Sequence, residues 1–97
     1  MADELIKRRD LVRHFNNLRK GDWERATRKL NLIWDDEHGK GPHSVIRDPN
    51  FPNPSDTRGL IATVQKGLYY EANQSIFKNL RRKGIGEDDI WKALGMI

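Results

Sequence analysis

The sequence predicts an α+β domain in which helices cover one face of a three-stranded antiparallel sheet. Three observations carry this. Helix-spaced apolar residues occupy both ends of the chain, three short β-rich runs lie in the middle, and turn residues separate those runs. Consecutive strands joined by short turns form a meander most simply, and its apolar face needs the flanking helices as cover. The expected order is helix, helix, three strands, helix, helix. At 97 residues the chain fits one domain, 1–97.

The first helix is expected over residues 3–18, with Leu11, Val12, Phe15 and Leu18 on one face. "RKGD" interrupts it, because Gly21 suits a helix end and Asp22 suits the N-cap of a second helix. Trp23, Ala26, Thr27 and Leu30 keep to one side of that helix. Leu32, Ile33 and Trp34 read as a first strand, and "DDEHGKG" reads as the turn after it. "HSVIRD" reads as a second strand. All four prolines fall between Pro42 and Pro54, so "DPNFPNPSDTRG" reads as a long exposed loop. The β-branched Ile61, Thr63 and Val64 mark the third strand. Ser75 resembles an N-cap for a helix bearing Ile76, Phe77 and Leu80, which Gly84 stops. A last short helix carries Glu87, Asp88 and Asp89 at its positive end and docks through Ile90, Trp91 and Leu94.

The chain carries no cysteine, which excludes disulfides and thiolate metal sites. Neither a leader nor an apolar run of about 20 residues is recognisable, so the expectation is a soluble cytoplasmic protein without membrane contact. The net charge is +4, and it is unevenly spread: Lys7 to Lys29 holds nine basic and three acidic residues. A second basic cluster joins Lys78, Arg81, Arg82 and Lys83. Such clusters attract phosphates, and they also serve simply as solvated helix faces.

"GKGPHSVIRDP", "RGLIATVQKG" and "SIFKNLRRKGI" resemble the small HicA toxins of bacterial toxin–antitoxin pairs. Gly41-Pro42-His43 stands where that family has Gly-Ser-His. Gln74-Ser75 stands at the family's Gly-Thr, and Lys83-Gly84-Ile85 at its Ala-Gly-Ile. Pro42 replaces the usual serine, and "TVQKG" lacks the customary Val-Pro-x-His. The resemblance runs from about residue 23 to residue 90, so 22–97 would be a HicA-like core and 1–21 an added N-terminal helix. It implies a fold like that of double-stranded-RNA-binding domains. The implied activity is endoribonucleolytic cleavage of messenger RNA, and the implied partner is a HicB-type antitoxin.

His43 is the candidate catalytic residue. RNA carries its own nucleophile in the 2′-hydroxyl, and an imidazole titrating near neutrality can take or give the proton that the reaction moves. Lys40 and the backbone of Gly41 could stabilise charge on the phosphate. Lys78, Arg81 and Arg82 could hold the RNA backbone. The chemistry requires no cofactor, and no metal-ligand spacing is recognisable. Two alternatives stay open. The domain could bind RNA or DNA without cleaving it, with His43 a polar strand-end residue, or it could be a protein-interaction domain. His38 reads as a turn residue.

Overall fold

The computed structural model describes residues 6–38 and 43–97. Its sheet is the expected meander. Strand β1 (Ile33–Asp35) pairs antiparallel with β2 (Ser44–Arg47), and β2 pairs antiparallel with β3 (Leu60–Val64). The helices are α1 (Lys20–Lys29), α2 (Tyr70–Arg82) and α3 (Glu87–Ala93). Among the described residues, no helix is long and apolar enough to cross a membrane.

One irregularity decides which side chains face which way. Ile46 pairs with Ala62, but the next residue, Arg47, pairs with Leu60, so Ile61 is a bulge. The extra residue turns Ile61 into the core beside Ile46, Ala62 and Val64. It leaves Leu60 exposed on the opposite face, opposite Arg47. The core face is covered by α2, which packs on β3, and by α1, which packs beside β1, with α3 packed on both helices. Phe15 lies at its centre, stacked on Trp91 at 5.4 Å and in contact with Phe77 at 5.5 Å. Phe77 and Trp91 meet at 4.5 Å.

The N-terminal segment differs from the expected helix. It is a 3₁₀ helix over Arg9–Asn16, not an α-helix over 3–18. A three-residue repeat places i and i+3 in line, which suits Val12 and Phe15. Such helices are seldom this long, and here two buried side chains clamp the flanks. Glu87 accepts the backbone N–H groups of Lys7 and Arg8, both at 2.7 Å, and the Trp91 indole N–H at 3.0 Å. Burial opposes ionisation of Glu87, but the Arg8 N–H, the Trp91 indole and the Lys7 N–H outweigh it and hold its pKa low. At the other end, the Asn73 amide donates to the carbonyls of Phe15 (2.6 Å) and Leu18 (3.1 Å). Its oxygen accepts the Trp23 indole N–H at 2.8 Å. The segment is thus part of the core, to which it contributes Ile6, Phe15 and Leu18.

Two helix starts also differ. Arg19, not Asp22, caps α1; Asp22 sits at the third position and accepts the Arg19 N–H at 2.8 Å, while Gly21 lies within the first turn. Helix α2 begins at Tyr70, five residues before Ser75, because its apolar stripe extends back to the buried Asn73 and to Tyr70, which meets Phe15 edge-on. Its end is as expected: Gly84 has φ +94°, a conformation that glycine tolerates without strain.

The proline-rich connection from β2 to β3 is mostly exposed but tied down. Lys83 donates to Asp48 (3.1 Å) and to the Arg58 carbonyl (2.7 Å). Phe51 lies under the Arg58 guanidinium at 4.6 Å.

Asn73→Ala would leave the Trp23 indole N–H and two carbonyls without their partner in the interior. The expected loss is at least about 2 kcal/mol, read as a lower urea midpoint with an unchanged slope.

Candidate functional site

The sheet face opposite the core carries the site. Residues 43, 45 and 47 alternate with the core residues Ser44 and Ile46, and Thr63 pairs with Val45. A cleft of about 390 Å³ opens here. Its sheet side is formed by Val45, Arg47, Leu60 and Thr63, and the loop contributes Pro54, Asp56 and Thr57. His43 and His38 both line it. A larger hollow of about 550 Å³ lies between α1 and α3, beside Lys29, Asp89 and Lys92, but it contains no histidine.

His43 immediately precedes β2 and is partly exposed. Among the described residues, neither of its ring nitrogens has a hydrogen-bond partner. Lys40 and Gly41, the expected phosphate-binding residues beside it, lie outside the described residues.

His38, read from sequence as a turn residue, is the second imidazole of the cleft. Asp35 holds it in place. The Asp35 carboxylate accepts the backbone N–H groups of Glu37 (2.9 Å) and His38 (3.0 Å), the hydrogen-bonding habit of aspartate at a turn. Both carboxylate oxygens lie 3.1 Å from His38 Nδ1. An ionised carboxylate only accepts hydrogen bonds, so Nδ1 carries the proton and Nε2 is the nitrogen left for chemistry. The His38 side chain is 50% exposed.

Asp35 is fixed in turn by Arg47, whose Nε–H donates to it at 2.8 Å. These side chains are 10% and 5% exposed, so the pair is largely removed from water. Asp35 faces Val45 in the register, which makes Arg47 its diagonal neighbour across the strands. Arg47 holds the carboxyl well below the usual carboxylate range against the cost of burial, with help from the N–H groups of Glu37 and His38 and from the His38 ring. On the core face, Asp36 accepts from the Ser44 hydroxyl and from the Trp34 indole N–H, closing the β1–β2 hairpin from its other side.

The basic residues predicted on α2 are not brought to this cleft. Arg81 is half-buried and donates to the Ile85 carbonyl at 2.8 Å, closing the end of its helix. Arg82 is exposed and donates to Asn79 at 3.0 Å. Lys78 is half-exposed. Among the described residues, no group of three or more His, Asp or Glu side chains is arranged to hold a metal ion.

Asp35 has a depressed folded pKa, so its stabilising contribution is complete above the unfolded carboxylate pKa near ~3.9 and is lost as pH falls toward the folded value. Asp35→Asn removes that contribution and strands the Arg47 charge. The expected cost at pH 7 is about 3–5 kcal/mol. The variant should also lose stability less steeply than the wild type between pH 4 and pH 2, as followed by denaturant unfolding at each pH.

No protein-family model, curated protein or solved structure matches this chain.

Proposed function

We propose that the chain is a HicA-like endoribonuclease, with a fold of the double-stranded-RNA-binding kind, that cleaves messenger RNA and is restrained by a HicB-type antitoxin. One observation supports this most: the half-exposed imidazole of His43 opens into a cleft on the solvent face of the sheet. A ring sealed in the apolar interior could not meet a phosphodiester. His43 would move the proton of the ribose 2′-hydroxyl. Asp56, the carboxylate in the cleft lining, is paired with Arg58, and Asp35 behind His38 is paired with Arg47, so a phosphate entering there does not meet an uncompensated carboxylate. Lys40 and the Gly41 backbone, just before His43 in the sequence, would stabilise charge on the phosphate. Lys78 and Arg82 would add phosphate contacts outside the cleft, and Arg81 would serve mainly to close α2.

His43→Ala should unfold within about 0.5 kcal/mol of the wild type, as expected of a substitution without packing consequences. It should cleave RNA about 10²–10⁴-fold more slowly, the usual contribution of a general acid or base. The assay is fragment formation from a labelled oligoribonucleotide, with circular dichroism as the folding control. Undiminished cleavage by the variant would remove His43 from the mechanism. Salt-dependent RNA binding by a wild type that forms no fragments would make the domain a binding module instead.

A further inference from the structure

We infer that His38 is a second catalytic residue, a general acid held by Asp35 and working opposite His43 across the scissile phosphate. The inference rests on the ribonuclease reading above and extends it to a residue that this reading does not require.

Transesterification of RNA moves two protons on opposite sides of phosphorus. The 2′-oxygen gives up its proton as it bonds to phosphorus, and the 5′-oxygen gains one as its bond to phosphorus breaks. One imidazole cannot stand on both sides at once. The cleft contains two, supplied by the two ends of one hairpin connection: His38 three residues after Asp35, and His43 one residue before β2. His43 accepts the 2′-hydroxyl proton. The imidazolium of His38 delivers its Nε2 proton to the departing 5′-oxygen. The products are a 2′,3′-cyclic phosphate and a 5′-hydroxyl, with one proton moved on each side and no water consumed. Proton exchange with solvent returns both rings to their starting forms.

The roles follow from the surroundings of each ring. His38 is the ring with a carboxylate against Nδ1, at 3.1 Å from both oxygens, so its orientation is fixed and Nε2 is the nitrogen placed to hand on a proton. Its backbone N–H is bound by the same carboxylate, which immobilises the main chain beneath the ring. Asp35 is locked by Arg47 and is therefore a positioning residue. His43 has no carboxylate partner among the described residues, and it takes the accepting role. Asp–His pairs also occur as plain turn fasteners. What sets this one apart is that the ring is half-exposed and lines the same cleft as a second histidine.

The test compares wild type, His38→Ala, His38→Asn and His43→Ala on two substrates. One is an oligoribonucleotide, whose 5′-oxygen must be protonated to leave. The other is a ribonucleoside 3′-(4-nitrophenyl phosphate), whose leaving group needs no proton. Both His38 variants should cleave RNA about 10²–10⁴-fold more slowly yet stay within several-fold of wild type on the nitrophenyl ester. His43→Ala should be slow on both. His38→Asn retains a side-chain donor for Asp35, so it isolates proton transfer from loss of the turn contact. Wild-type rates for both His38 variants on RNA, or equal losses on the two substrates, would overturn the assignment while leaving the ribonuclease reading intact. A wild type inactive on both substrates would overturn both.

Discussion

The Asp35 carboxylate is the constraint on which the functional face depends. It lies at the end of a strand, largely out of water, and Arg47, two residues beyond its register partner, does most to keep it ionised there. That diagonal pair ties β1 to β2 on the solvent side of the sheet. The remaining lone pairs take the N–H groups of Glu37 and His38 and the His38 ring, so one side chain sets the strand pairing, the path of the turn and the orientation of an imidazole. A buried ion pair of this kind adds little net stability compared with apolar packing. What it provides here is geometry, at the place where the chain has to present a polar ring to solvent.

The other face of the sheet follows a different logic. Its aromatic cluster of Phe15, Phe77 and Trp91 is assembled from three separate parts of the chain, and directional bonds from Asn73 and Glu87 fix how those parts meet. The N-terminal 3₁₀ helix is held at its flanks by Glu87 of α3 and Asn73 of α2. The sheet therefore has a rigid, apolar, fully bonded side, and this leaves its opposite side free to carry charged and titratable groups.

Much of the architecture was legible in the sequence because it rests on local chemistry. The strands follow from β-branched runs between turn residues, the irregular loop from its prolines, and the stop of α2 from Gly84. The errors fell where non-local contacts win. Asp22 and Ser75 are good N-cap residue types, but α1 starts earlier because Asp22 serves at its third position and bonds back to the Arg19 N–H, and α2 because its buried face extends back to Asn73 and Tyr70. The 3₁₀ geometry at Arg9–Asn16 depends on side chains more than 55 positions away. At the candidate site, His43 was identifiable from the Gly-Lys-Gly-Pro sequence before it. His38 was not, although Asp35-x-x-His38 is a spacing at which an aspartate can bind both the backbone and the ring of the third residue on. Arg47 required the strand register, which depends on a turn whose length composition alone does not fix.

RNA bound on the solvent face of the sheet would lie against both imidazoles. Titration with a 2′-deoxy oligonucleotide, which lacks the nucleophile and is not cleaved, tests it most directly, with the ring nitrogens of His38 and His43 followed by NMR. Both rings should then shift together along one saturation curve, with His38 Nδ1 still protonated and bound to carboxylate. Binding that moves the amides around Lys78 and Arg82 while both rings stay unperturbed would contradict it.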